Sequence, residues 1–79
     1  MGAKLVFLGR LADLVGAPEQ EAAAGPLAQV LAALPQELAV ALLDERIRLA
    51  LNGELISERG GIVLGQGDEL AFLPPVSGG

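Results

Sequence analysis

Side chains that could do chemistry are sparse in this 79-residue sequence, and three kinds of placement stand out. Asp44-Glu45 and Asp68-Glu69 are paired carboxylates, the residue type that general acid–base catalysis uses. Gly65-Gln66-Gly67 has the beginning of a glycine-rich phosphate loop. Pro74-Pro75-Val76-Ser77-Gly78-Gly79 closes the sequence on a carboxylate behind two glycines. The first two have plainer explanations. Asp44-Glu45 falls at the end of a helical pattern and Asp68-Glu69 in a turn, where carboxylates are ordinarily solvated. Gly65-Gln66-Gly67 lacks a third glycine and is not followed by the Lys and Ser/Thr of a phosphate loop, so it reads as a tight turn between strands.

The sequence contains no His, Cys or Tyr. Cys–His and Ser–His nucleophilic machinery therefore cannot be assembled within it. Transition-metal sites lack their preferred ligands, and no disulfide can form. An autonomous enzyme is not expected, nor a metal or cofactor bound by this chain.

The tail is different. From Leu70 to Gly79 no side chain is charged. Pro74 and Pro75 fix two φ angles and forbid helix, so the tail leaves the last strand extended and partly stiffened. Val76 provides one apolar anchor, Ser77 follows, and Gly78-Gly79 remove all side-chain bulk from the last two positions. Such a segment suits insertion into a narrow active-site channel of another protein, because a stiff stem lowers the ordering cost and the glycines let catalytic groups approach the terminal carbonyl. A frayed, glycine-ended terminus of no importance would have the same composition. The position of the glycine pair, behind two prolines and directly after a core strand, favours the substrate tail.

The elements that must position this tail follow from periodicity. Lys4 to Leu8 alternates as a first strand, with Leu5 and Phe7 on one face and Val6 and Leu8 on the other. Arg10 to Val15 fits a short helical turn, and Gly16-Ala17-Pro18 signals a break. Glu19 to Ala24 occupies the place of a hairpin partner for the first strand, although its alanines are poor strand formers. Gly25-Pro26 is expected to open a helix with Pro at its first position. Leu27, Val30, Leu31 and Leu34 mark its buried face, Pro35 ends or kinks it, and Gln36 to Leu43 resumes helical character. Arg46 to Leu51 alternates with Ile47, Leu49 and Leu51 inward, and Asn52-Gly53 is a strong hairpin signal before Glu54-Leu55-Ile56. Ile62-Val63-Leu64 is a short apolar piece, and Glu69 to Leu73 is the last strand. The expectation is an α+β domain, a mixed sheet with one main helix packed across one face, over residues 1–73, with an extended tail over 74–79.

Bulk properties narrow the partners. This length makes one domain, in which only about 60% of the unfolded surface is buried. The interior must come from aliphatic residues, since Phe7 and Phe72 are the only aromatics in a sequence that is 52% apolar. A formal charge of −5 argues against nucleic acid and towards a protein partner with a basic docking face. No stretch approaches the roughly 18 apolar residues that span a membrane, and the N-terminus lacks a signal-peptide pattern, so a soluble, cytoplasmic protein is expected.

Leu49-Ala50-Leu51-Asn52-Gly53-Glu54, with Gly67-Asp68-Glu69-Leu70-Ala71-Phe72-Leu73 running into Pro-Pro-Val-Ser-Gly-Gly, resembles the small subunit of molybdopterin synthase, in the MoaD/ThiS family of sulfur carriers. Lys4 to Leu8 and Leu11-Ala12-Asp13-Leu14-Val15-Gly16 are similar to that family's opening. The likeness covers both ends of the domain, and the helical middle fits in pattern only. Two departures stand out. Ala12 stands where many members carry Arg, which bears on one polar contact to a partner, and residues 19–24 lack the larger alternating apolar side chains common in the second strand.

The resemblance implies a ubiquitin-like β-grasp fold and a mechanism. An ATP-dependent activating enzyme would adenylate the carboxylate of Gly79, and a sulfur-donor enzyme would convert it to a thiocarboxylate. The tail would then enter the large subunit of molybdopterin synthase and deliver sulfur to a pterin precursor. In a β-grasp the first and last strands are neighbours, so Leu8, Leu73 and Leu55 are expected to form a docking patch near the tail. Carriers for thiazole, cysteine or tRNA-thiolation pathways share this end chemistry, as does a ubiquitin-like modifier. The proline pair favours the molybdopterin branch over the thiazole carriers. A non-catalytic interaction domain with an inert tail is the remaining reading.

Overall fold

Alternation in the first strand and in the last one sets the centre of the molecule. The computed structural model describes residues 2–58 and 60–75. Within them β1 (Ala3–Phe7) and β7 (Glu69–Leu73) lie parallel, Leu5 beside Leu70 and Phe7 beside Phe72. All four side chains are buried, and the two rings stack with centroids 5.4 Å apart and planes 13° from parallel. Such an aromatic pair adds about 0.5–1.5 kcal/mol beyond its area burial.

The other elements are α1 (Arg10–Val15), β2 (Glu19–Ala22), β3 (Gly25–Pro26), α2 (Leu27–Ala32), α3 (Gln36–Leu42), β4 (Arg48–Leu51), β5 (Glu54–Ile56) and β6 (Val63–Leu64). The main sheet runs β2-β1-β7-β4-β5, and every pairing except β1–β7 is antiparallel. This mixed sheet, with helices on one face, bears out the α+β expectation. Leu27, Val30, Leu31 and Leu34 are buried, as the helical spacing requires, and they meet Leu5, Leu49, Leu70 and Phe72 in a single core. Residues 19–22 do form a strand despite their composition, because β1 supplies a partner and an edge position tolerates charge.

Two expectations are corrected. Pro26 is not the first residue of a helix: Gly25 and Pro26 pair with Leu64 and Val63 in a small second sheet, and the helix begins at Leu27, whose N–H donates to the carbonyl of Ile62 at 2.9 Å. The expected break at Pro35 is present, since α2 ends at Ala32 and α3 starts after Pro35. A proline disfavours helical geometry in its predecessor and donates no N–H, so the break spreads back over Ala33 and Leu34. Glu69 is not a turn residue but the first of β7, and Asp68 beside it is engaged rather than simply solvated.

That engagement ties two turns together. Asn52 (φ 51°) and Gly53 (φ 85°) make the left-handed hairpin turn between β4 and β5. The Asn52 side chain reaches across to β7: its Oδ1 accepts from the Glu69 N–H at 2.9 Å, and its Nδ2 donates to Asp68 Oδ1 at 3.1 Å. The Asn52 N–H donates to the Glu69 carbonyl at 2.7 Å, and Asp68 Oδ2 accepts from the Gly65 N–H at 2.8 Å. The bond from Gly65 and then that from Asn52 hold the Asp68 carboxyl below its ordinary pKa. A lowered carboxylate pKa contributes stability that is complete above the ordinary carboxylate range and is lost as pH falls through the depressed value. Asp68→Ala is therefore expected to be less stable than the wild type at neutral pH, with the two stability curves converging in acid. Urea midpoints measured down through the carboxylate range check this, and a constant gap would contradict it.

Candidate functional site

The face of the main sheet opposite the helices is laid out by strand alternation. Since Phe7, Phe72 and Leu49 point inward, their neighbours Leu8, Leu73 and Arg48 point out. Leu8 lies one residue past β1, and its N–H donates to the Phe72 carbonyl at 3.1 Å, which continues the parallel register and sets Leu8 beside Leu73. Leu8 is 41% exposed and Leu73 half-buried. The next row across the sheet is Val6, Ala71, Ala50 and Leu55, with Leu55 62% exposed. Two alanines at its centre keep this row low, so Leu8, Leu73 and Leu55 stand around a shallow apolar surface. Sequence reasoning named these three leucines but not the Val6–Ala71–Ala50 floor between them, because that floor exists only once four strands are in register.

At the far end of the same face the charge is acidic. Lys4 lies opposite Glu21 on one side and Glu69 on the other, and its Nζ is 3.5 Å from Glu19. This exposed pair contributes little to stability.

The root of the tail is fixed by a contact that sequence reasoning missed. Gly9 takes φ 57° and ψ −134° as α1 begins, a conformation that side-chain-bearing residues avoid. A Cβ built there would lie 3.2 Å from Cγ of Pro74. The absent side chain lets the proline ring sit against the β1–α1 turn, and Pro74 and Pro75 are both half-buried. The available signal was a glycine between strand and helix patterns; nothing in its spacing paired it with residue 74. Val76, Ser77, Gly78 and Gly79, the remainder of the expected tail, lie outside the described residues.

The alternative chemistry recedes on this geometry. Arg46 closes over Asp44, donating from its backbone N–H to Oδ1 at 2.9 Å, from Nε to Oδ1 at 3.2 Å and from Nη2 to Oδ2 at 2.9 Å. Asp44 is thus tied into its own loop, and the side-chain bond to Asp44 raises the Arg46 pKa. Among the described residues no group of three or more His, Cys, Asp or Glu could hold a metal ion. Among the described residues no helix is long and apolar enough to cross a membrane. A hollow of about 330 Å³ between α2, α3 and residues 60–63 is lined by Leu27, Leu31, Leu42, Leu43 and their apolar neighbours and offers no reactive group.

Comparison with known proteins gives a consistent result. The ThiS family matches residues 5–79. The molybdopterin synthase sulfur carrier subunit of Escherichia coli (strain K12) is 37% identical over 81 residues, which cover 96% of this chain and 98% of that protein. Among solved structures, small archaeal modifier protein 1 (SAMP1) from Methanosarcina acetivorans superposes with a TM-score of 0.73 at 28% identity, covering 98% of this chain and 95% of that one. SAMP1 from Haloferax volcanii gives 0.64 at 25% identity, with 98% of both chains covered.

The contact at the tail root yields a direct expectation. Gly9→Val should cost about 1–3 kcal/mol through its backbone conformation and displace the Pro74 ring. A denaturant titration reads the first effect and the Pro74 chemical shifts read the second; unmoved Pro74 signals would contradict the contact.

Proposed function

Because the chain belongs to the ThiS family, we propose that it is a sulfur carrier whose working group is the carboxylate of Gly79, acting as the small subunit of a molybdopterin synthase. The family match running through residue 79 carries this reading. The relative that is 37% identical over nearly the whole length supports the molybdopterin branch. The apolar sheet face beside the seated Pro74 supports it physically, since a carrier must dock while presenting its tail.

The chemistry divides between partners. A carboxylate is a poor electrophile, so an activating enzyme joins it to the α-phosphate of ATP and pyrophosphate leaves. A persulfide sulfur from the donor enzyme attacks the acyl-adenylate carbonyl and AMP leaves. A thiol then cleaves the resulting sulfur–sulfur bond, leaving the thiocarboxylate on Gly79. The large subunit admits the tail and transfers this sulfur to a pterin precursor. This chain supplies the reacting end and the docking face, and ATP is bound by the activating enzyme rather than by the carrier.

A second reading is favoured by the likeness to the small archaeal modifier proteins. A modifier would pass the same acyl-adenylate to a lysine amine, forming an isopeptide. Links between copies would then be restricted, because Lys4 is the sole lysine of the sequence and lies in the acidic end of the sheet face.

Incubation with ATP, the activating enzyme and a sulfur donor is expected to raise the intact mass by the difference between sulfur and oxygen, localised to the terminal peptide. One residue appended after Gly79 should abolish the gain; an unchanged wild-type mass with an active partner enzyme would overturn the carrier reading, and isopeptide adducts would select the modifier. Leu73→Arg is expected to keep the fold and weaken partner binding at least about tenfold, or about 1.4 kcal/mol. Calorimetric titration against the large subunit checks this, and unchanged affinity would remove Leu73 from the docking surface.

A further inference from the structure

The charges on the sheet face are sorted along the strand direction. Towards the start of β1 and β7 Lys4 lies between Glu21 and Glu69, and Glu19, one row on and opposite Val6, reaches back to within 3.5 Å of its Nζ. Towards the tail the sign reverses. Arg48 stands in register with Leu73, which has Leu8 as its other neighbour. Arg10 follows two residues after Leu8, directly beyond the glycine that abuts Pro74. Both arginines are exposed. Lys4 is paired with Glu19 and Arg46 with Asp44, whereas neither Arg10 nor Arg48 has an ion-pair partner among the described residues. Arg48 and Leu8 flank Leu73 about 10 Å apart, two inter-strand spacings, and Arg10 enters α1 directly after the glycine that abuts Pro74, so both arginines lie near the strand end from which the tail departs.

We propose that Arg10 and Arg48 form a cationic bracket at the tail root that docks against a carboxylate-rich rim around the channel of the protein receiving the tail. The inference rests on the carrier reading and adds the chemistry of the partner's surface. A net charge of −5 draws the body of the molecule towards a basic field but does not by itself orient it. Two unpaired cations near the tail root, opposite the acidic end of the face, supply the orientation. A partner with acidic groups at its channel mouth and basic groups farther out attracts the tail end first and repels the reversed approach. Exposed charges at an interface rim act mainly on association rate and its salt dependence. The bracket therefore sets how often an encounter begins with the tail at the mouth, and the apolar face holds the complex afterwards.

The experiment is stopped-flow association of the full-length chain with the large subunit of molybdopterin synthase, the protein that receives the tail, across ionic strength, comparing wild type with Arg10→Glu and Arg48→Glu. Each reversal should slow association on the order of tenfold at low salt. The gap should close as salt rises and the screening length shortens to about 10 Å near 0.1 M, with dissociation little changed. Circular dichroism monitors folding, and Arg48→Gln, which removes the charge without reversing it, carries the test if a reversal does not fold. Association of both variants at the wild-type rate, or faster, would overturn the bracket while leaving the carrier reading intact. A wild-type chain that fails to associate at all would overturn the carrier reading and the bracket with it.

Discussion

The parallel pairing of the first strand with the last is the constraint on which the other features depend. Parallel strands need a crossover, and here everything between β1 and β7 provides it: a hairpin partner at one edge, two helices over one face and the β4–β5 hairpin at the other edge. Phe7 and Phe72 stack because that pairing places them side by side, and the aliphatic core closes around their rings. In a sequence with no other aromatic residue, this stack is the widest apolar surface available for the helices to cover.

The same arrangement decides where chemistry can happen. β7 is hydrogen-bonded on both sides, so the segment after it departs from the middle of the sheet rather than from an edge. Pro74 is seated at once against Gly9, and the Asn52–Asp68 bonds fix the opposite end of the strand. The tail therefore begins from a stem held at both ends. The domain thereby holds that stem rigidly while carrying few reactive side chains of its own.

Much of this was legible in the sequence where short-range rules apply. The alternation of Leu5 with Phe7 and of Leu70 with Phe72, the helical spacing of Leu27, Val30, Leu31 and Leu34, and the Asn52-Gly53 turn each declare themselves within a few residues. The features that were not legible arise from distant contacts. Gly25-Pro26 looked like a helix start because proline is welcome there, and only Val63 and Leu64, far along the chain, make it a strand. The helix over 27–34 lost its last turn to Pro35 sooner than periodicity suggests. Gly9 looked like ordinary punctuation until Pro74 was placed against it. For the candidate site, the leucines could be named from alternation alone, but their alanine floor and the arginines beside the tail depend on the register of neighbouring strands. The tail was visible only as residue types in order.

The topology also bears on how the protein is made. β1 is the first strand to leave the ribosome, yet its parallel partner β7 is the last, so the nascent segment waits through synthesis of the whole domain before its central ladder can form. Contacts of such sequence separation are slow to close, and until β7 arrives the inner faces of β1 and β4 have no strand between them. The folded state is thus withheld from any chain truncated before β7. A premature stop yields a chain that cannot complete its sheet, which is material for proteolysis rather than a folded competitor for the carrier's partners.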